Sequence, residues 1–457
     1  MKVASFESLE FLLSPSRENY HVIGLKNGLA EGLITTNYKN HQIIFVEPLG
    51  KKSIAQQKHF SLWADEKKQI QQTNLNAILK KKGINIVVPD TRTSPFLEKW
   101  AAENEIKLVS TSHKFQKQFE NKIFFDKFLH KHQLPVPKSW ILKSEKDIDK
   151  VDVFPVIVQI PESDGSLGTF LKHNKNEIIK LLSEPKIKFP LLCREFIANG
   201  FPLGASVLIG PKKMIFSAIR MQAYFSHPSG KSIYYGIQWL KTSFFPPHII
   251  KTINKILLKA GKEMQKIGFR GLAAFDLIMR DDDIYFIECN PRTGGSTPHM
   301  SFRKELFHGR IFTDEFIRAT CGKELSVSKP FIPHSNYEGF CLDCGFMVYY
   351  LPKDTKINSL PNGVFKFEKG KLNYISSHID EFVENKELIF INYVREEGTL
   401  LSSTNFIGFL ITHFPLLKIK EGKYNFSVES QILLRHIEGL VVKKGIYFVI
   451  PKNDLLS

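Results

Sequence analysis

The run AAFDLIMRDDDIYFIECNPR, residues 273–292, constrains this chain more than any other stretch. Two apolar segments flank the polar Asp281, Asp282 and Asp283, so the run reads as a β-hairpin. Residues two apart on a strand project to one face, which puts Glu288 and Asn290 side by side. With the three aspartates as the loop, Arg280 pairs with Ile284 and Asp276 falls directly opposite Glu288, their Cβ atoms about 5 Å apart. Asp276, Glu288 and Asn290 then offer three hard oxygen ligands to one point. Mg²⁺ takes such ligands, usually one or two carboxylates completed by water and phosphate oxygens, and the same set admits Mn²⁺. Without a cation, two carboxylates on an otherwise apolar hairpin repel each other and are costly to desolvate.

The rest of the chain divides around this hairpin. At 457 residues it is too long for one core. In residues 1–115 the segments QIIFVEP, INIVVPD and IKLVS read as buried parallel strands, with a helix over 69–82, so an open α/β domain is expected. Gly24, Gly28 and Gly32 do not match GxGxxG spacing, and close helix packing is the better reading. ENKIFFDKFLHKH, residues 120–132, forms an amphipathic helix ended by LPVPKSW. Strand FPVIVQIP, loop ESDGSLG and strand TFLKH follow, then helix NEIIKLLS and strand PLLCREFI. ASVLIG and KMIFSAIRMQ read as two strands around the turn Pro211–Lys212, and HIIKTINKILLKAGKEMQKIG is a helix leading into the hairpin. From about Pro330 the tail is β-rich, with turn signals LPNGV, EKGKL and REEGT.

Composition narrows the classes. Hydrophobic residues make up 43% and charged residues 24%, ordinary for a globular protein. No apolar run approaches the ~20 residues that span a bilayer. The N-terminal stretch has acids inside its only apolar segment, so no signal peptide is read and a cytoplasmic setting is expected. The net charge of +17 comes mostly from lysines scattered over every segment. That pattern argues against a nucleic-acid partner, for which Arg, Lys and aromatics concentrate on one surface, and suits attraction of a small polyanion. Cys193, Cys289, Cys321, Cys341 and Cys344 do not form a disulfide framework. Cys341 and Cys344 make a lone CxxC, read as buried thiols rather than as a zinc site with Cys321 and His334.

RGLAAFDLIMRDDDIYFIECNPRTGG resembles the metal-binding end of the ATP-grasp superfamily, which includes D-alanine–D-alanine ligase, biotin carboxylase and carbamoyl phosphate synthetase. The pattern is an Asp or Glu, about a dozen residues, then Glu-x-Asn-x-Arg. The resemblance implies a pre-ATP-grasp α/β domain over 1–115 and a two-subdomain ATP-grasp fold over 116–325. Its hinge is near 193–198 and its metal hairpin at 273–292. A β-rich domain over 326–457 completes an α/β and α+β architecture. It implies that Asp276, Glu288 and Asn290 bind one or two Mg²⁺ ions, Glu288 bridging, that Arg292 faces the transferring phosphoryl group or the substrate carboxylate, and that Arg270 in GFRG is a second phosphate-facing arginine. Lys122 resembles the helix lysine that touches ATP phosphates. The loop Ser163–Gly168, with Ser163, Gly165, Ser166 and Gly168, resembles the glycine-rich lid. CREFI resembles the hinge, where the backbone of Glu195 and Ile197 would bind the adenine edge beside an apolar slot of Phe196 and Ile197.

The chain departs from the family in three places. Gln159 stands where a second phosphate-binding lysine is usual, Arg194 where the hinge often has a glutamate, and ANGFPLG lacks the carboxylate that usually holds the ribose. Arg220 is a candidate carboxylate clamp. Gly294, Gly295 and Ser296 are placed to meet the acceptor, their N–H groups forming an anion nest. MQAYFSHPSGKSIYYGIQW either lines the acceptor pocket or packs on the lid. The expectation is an ADP-forming carboxylate–amine ligase acting on an amino acid or peptide, compatible with a homodimer and with no membrane partner. Its rivals are a biotin carboxylase-like or carbamoyl phosphate-type reaction, and a nucleotide-binding scaffold without turnover.

Overall fold

The computed structural model describes residues 2–5, 21–25, 42–46, 75–83, 85–89, 92–163, 168–226, 232–294, 296–310, 312–329, 331–332, 342–343, 355–356, 363–376, 379–393, 400–401, 408–420 and 423–441. The apolar N-terminal segments form β1 (Lys2–Ser5), β2 (His21–Leu25), β3 (Gln42–Val46), β4 (Ile86–Val88) and β5 (Lys107–Leu108). They make a parallel sheet in the order β3-β2-β1-β4-β5. Helices α1 (Leu75–Lys82) and α2 (Pro95–Glu103) belong to this unit. Ser94 caps α2 by accepting from the Leu97 N–H, and Pro95 occupies the first turn, where a missing N–H costs nothing.

Helices α3 (His113–Glu120) and α4 (Lys122–Lys131) lead into a four-stranded antiparallel sheet. Its strands are β6 (Ser139–Leu142), β7 (Val156–Gln159), β8 (Thr169–Lys172) and β9 (Leu191–Glu195), in the order β6-β9-β7-β8, with α5 (Lys175–Leu182) between β8 and β9. Alternate residues Val156 and Val158 are buried with Leu191 and Cys193 and meet Ile178 and Leu181 of α5.

The next unit carries the largest sheet among the described residues. Its strands are β10 (Phe201–Ile209), β11 (Met214–Phe216), β12 (Arg220–Ser226), β13 (Ser232–Trp239), β14 (Gly271–Arg280) and β15 (Asp283–Asn290). They run β15-β14-β10-β12-β13, with β11 on β10. Helix α6 (Pro247–Lys266) buries Ile249, Ile253, Leu257, Ala260 and Met264 at helical spacing. The single strand expected over KMIFSAIRMQ is two, because residues 217–219 leave the ladder: Ala218 N–H donates to Leu306 O at 2.8 Å. Short helices α7 (Thr297–Phe302) and α8 (Phe312–Thr320) follow.

The tail contributes β16 (Phe331–Ile332) and β17 (Leu342–Asp343), which join the large sheet through β11 and β13. The expected boundary after residue 325 therefore lies inside one continuous sheet. Beyond it come β18 (Thr355–Lys356), β19 (Gly363–Glu368), β20 (Lys371–Ser376), α9 (Ile379–Glu384), β21 (Leu388–Tyr393), β22 (Leu400–Leu401) and β23 (Gly408–Thr412). The hairpin β24 (Leu417–Lys420) and β25 (Lys423–Phe426) precedes α10 (Val428–Val441). Leu433, Leu434 and Ile437 of α10 share a core with Phe225 and Tyr235 of β12 and β13. The described residues of the aromatic stretch form the strands β12 and β13, packed on the tail: Phe225 stacks on Phe426 at 5.0 Å and Tyr224 N–H donates to Tyr424 Oη at 2.9 Å. Among the described residues no helix is long and apolar enough to cross a membrane.

Candidate active site

The metal hairpin reaches the expected pairing by a different route. Its turn has two residues, Asp281 and Asp282, and Arg280 pairs with Asp283 rather than Ile284. Asp281 takes φ 55°, a left-handed value that Asp tolerates. In that register Asp276 would face Ile287. A bulge between the pairs Leu277–Phe286 and Asp276–Glu288 inserts Ile287 and shifts the ladder by one. Asp276 then lies opposite Glu288, and Asn290 opposite Ala274 on the same face.

The register extends this pair into a row. Gly204 of β10 pairs with Asp276 on one side and with Arg220 of β12 on the other. Across four strands the order is Arg220, Gly204, Asp276, Glu288. The Arg220 side chain lies over Gly204, where an added Cβ would come 2.8 Å from Nε. Its NH2 reaches to 4.0 Å from Asp276 Oδ1, and its NH1 donates to Ser206 Oγ at 3.0 Å. Arg220 is only 3% exposed, so in place of a substrate clamp the geometry gives it Asp276 as its carboxylate. Gln222 Nε2 donates to the same Oδ1 at 2.5 Å, and Asn290 Nδ2 to Oδ2 at 3.3 Å. Burial, then the charge of Glu288, pushes the Asp276 carboxyl up to about 7, against the opposing pull of Arg220, Gln222 and Arg292.

Further cations surround the row. Lys122, at the start of α4, is 2% exposed; its Nζ lies 3.6 Å from Glu288 Oε1 and donates to Ser163 O at 2.7 Å. It ties the loop that begins at Ser163 to Glu288 and is buried rather than solvated. Arg292 Nε donates to Glu120 Oε1 at 2.5 Å, and its NH2 lies 3.5 Å from Asn290 Oδ1. Arg92 of the N-terminal unit shares the same Glu120 oxygen at 3.0 Å. Arg270 stays apart. Its NH1 donates to Gln265 O at 3.2 Å at the end of α6, and along β14 it is about 20 Å from Asp276. Its expected place beside the phosphoryl group is corrected by that geometry: the guanidinium caps a helix C-terminus.

At the other end of the site, Gln159 is 5% exposed and its Nε2 lies 3.5 Å from Thr169 Oγ1 across β7 and β8. Ser163 Oγ donates to Ile160 O at 3.1 Å, and a Cβ on Gly168 would sit 2.5 Å from that hydroxyl, so glycine is required there. Gly165, Ser166 and Gly295 lie outside the described residues, as do Cys341, Cys344 and His334. In the hinge, the N–H groups of Glu195 and Phe196 donate to Lys138 O and Pro155 O at 2.8 and 3.1 Å. Among the described residues the Ile197 N–H has no backbone acceptor. Gly294 N–H donates to Thr297 Oγ1 at 2.9 Å, so the anion nest expected around Gly294, Gly295 and Ser296 has that donor already engaged.

Several residues at the site were not foreseen. Gln222 and Arg220 are two apart on one strand, so alternation could have found Gln222 once Arg220 was singled out. Tyr224, whose Oη donates to Gln222 Oε1 at 3.3 Å, follows a second bulge between Ala223 and Tyr224 that alternation cannot anticipate. Glu120 and Arg92 meet only through the packing of two domains.

The site fits Mg²⁺ with a polyphosphate better than either alone. Asp276, Glu288 and Asn290 are a sparse oxygen set that leaves room for water and phosphate. The cations Lys122, Arg220, Arg292 and Arg92 outnumber by one the carboxylates Asp276, Glu288 and Glu120. A metal ion alone would add to the excess, whereas a metal triphosphate brings net negative charge.

A family model for the ATP-grasp domain matches residues 119–296. D-alanine–D-alanine ligase of Fusobacterium nucleatum is 25% identical over 188 residues, 39% of this chain and 59% of that one. The arginine-specific carbamoyl phosphate synthase large chain of Geobacillus stearothermophilus is 19% identical over 301 residues, 65% of this chain but 26% of its own length. Biotin carboxylase of Campylobacter jejuni has a similar fold, with TM-score 0.62 and 12% identity over 90% of this chain and 86% of that one. N5-carboxyaminoimidazole ribonucleotide synthetase of Thermus thermophilus gives TM-score 0.56 and 12% identity over 90% and 93%.

Proposed function

From the premise that residues 119–296 form an ATP-grasp domain, we propose that this chain is an ADP-forming ligase that phosphorylates a carboxylate with Mg-ATP and passes the acyl group to an amine. The observation that carries the reading is the row Arg220, Gly204, Asp276, Glu288 with Lys122 and Arg292 against it. Asp276, Glu288 and Asn290 would hold one or two Mg²⁺ ions, whose chemistry is to draw charge from the phosphoryl oxygens. Arg220 and Gln222 fix Asp276 from beneath. Lys122 sits between Glu288 and the lid, where it would meet phosphate and hold the lid over it. The Ile197 N–H is the hinge donor available to the adenine edge.

In the first step a substrate carboxylate oxygen attacks the γ-phosphorus and ADP leaves. In the second the amine nitrogen attacks the acyl carbon, phosphate leaves, and the amine proton passes to phosphate or solvent. Arg292, fixed by Glu120 beside Asn290, would stabilise charge on the phosphoryl and acyl oxygens. Holding acid, phosphate and amine together supplies most of the rate. Biotin carboxylase and carbamoyl phosphate synthase act on other acceptors, and the full-length likeness to the former supports a carboxylase-type second reading. Against it, Thr293, Gly294, Gly295 and Ser296 after Arg292 include no side chain able to serve as a base near neutral pH.

The test is ADP and phosphate release with Mg-ATP, run separately with pools of amino acids and short peptides and with bicarbonate. Hydroxylamine is added to trap an acyl phosphate as hydroxamate. Release that needs both an acid and an amine supports the ligase. Release with bicarbonate alone favours the carboxylase, and none in any arm favours a scaffold.

A further inference from the structure

Arg194 is a charged residue at the hinge that no step above uses. β9 carries it into the interior, where it is 2% exposed. Its Nε and NH2 lie 3.0 and 2.9 Å from Asp126 Oδ1, and its NH1 donates to Ile287 O at 2.6 Å. Asp126, on α4, is also 2% exposed and accepts from Ser139 Oγ at 2.9 Å through its other oxygen. His130 Nε2 stands 3.5 Å from that oxygen. Burial draws the proton affinity of the guanidinium down, and the charges of Asp126 and then Glu288 oppose the shift.

Ile287 is the inserted residue of the hairpin bulge, and a bulge leaves backbone groups without ladder partners. Here both are satisfied from outside the hairpin. Phe286 N–H donates to Pro135 O at 2.9 Å, and Ile287 O accepts from Arg194. Without the second anchor, a half-buried carbonyl is left unpaired. Expelling the bulge would continue the Leu277–Phe286 register. Asp276 would then face Ile287, and Glu288 would turn to the opposite face of the sheet.

We propose that Arg194, held by Asp126, is a positioning residue for Glu288: it locks the Ile287 bulge and so sets Glu288 opposite Asp276. The proposal rests on the reading of Glu288 as a metal ligand. It also explains why arginine stands at this hinge position. A guanidinium spans Asp126 and Ile287 O at once, which a lysine ammonium, a point charge, does not.

Removing Arg194 alone strands Asp126 as a buried charge and invites unfolding, so the test removes both charges. The double variant Asp126→Asn/Arg194→Met is compared with wild type by thermal melting and by ATP-binding calorimetry with and without a Mg²⁺ titration. The expected result is near-normal melting and metal-free ATP binding, with the Mg²⁺ concentration for half-maximal enhancement raised at least ~10-fold. A wild-type Mg²⁺ response in the folded double variant overturns the proposal and leaves the ion pair merely structural. Arg194→Lys, which keeps the charge, serves if the double variant does not fold. It should raise the Mg²⁺ requirement by ~3- to 10-fold, and an unchanged requirement likewise overturns the proposal. If wild type itself shows no Mg²⁺ response, the metal reading fails, and this proposal with it.

Discussion

The proposed metal end of the site and its proposed hinge end are built from different parts of the chain's chemistry. At the metal end the work is done by side chains in register: Arg220, Asp276 and Glu288 in one row over Gly204, with Asn290 and Lys122 beside it. At the hinge the groups facing the proposed adenine site are backbone amides, and the side chain of Arg194 turns away to Asp126 and Ile287. A row of charges tolerates little substitution, because each neighbour is placed to balance the next. A backbone donor tolerates almost any side chain, so the hinge position is open to a structural arginine. The departure at Arg194 therefore leaves the backbone donors that face the proposed adenine site in place, while its side chain reaches Asp126 and Ile287 O instead.

That contrast can be broken most severely at Glu288. Glu288→Ala removes the ligand that faces Asp276 and Lys122, and turnover should fall at least ~10²-fold with the fold retained. Steady-state ADP formation checks it, and near-normal rates would mean the row is not the phosphoryl-transfer site. A smaller effect is expected at Gly204. A Cβ there meets Arg220 Nε at 2.8 Å, in a side chain that is buried and cannot move freely. Gly204→Ala should cost about 1–3 kcal/mol of stability in chemical denaturation, and a neutral result would show that Arg220 can leave the row without loss. The smallest effect is expected at Gln159. Gln159→Lys places a charge near Thr169 and the lid, and ATP binding should tighten by about 1 kcal/mol or stay unchanged. Clear weakening in calorimetry would mean that Gln159 faces something other than phosphate.

Much of this was legible in the sequence, for reasons that differ by residue. Asp276, Glu288 and Asn290 were found because a strand has a period of two and the hairpin carries few polar positions. The register argument succeeded through two departures that cancel: a turn one residue shorter than expected, and a bulge one residue long. Nothing in the local pattern announces that bulge, since its anchors, Pro135 O and Arg194, lie far away in sequence. GFRG resembles a phosphate-facing motif, but the resemblance of four residues does not fix where the following strand begins. Gly271 opens β14, so Arg270 stands at the end of the preceding helix. Lys122 was hard to weigh from its surroundings, since a lysine on an amphipathic helix is usually solvated and only packing shows it buried. Glu120 and Arg92 were out of reach because they are joined by domain packing alone.

The central claim is that the row in the large sheet is a site for a divalent metal bound with a polyphosphate. The most direct measurement is calorimetric ATP binding, with and without Mg²⁺, for wild type and for Asp276→Asn. The account predicts that Mg²⁺ tightens ATP binding to wild type at least ~10-fold and that most of this enhancement disappears in the variant, while metal-free binding changes little. Equal binding with and without Mg²⁺ in wild type, or an enhancement that survives intact in Asp276→Asn, would contradict it.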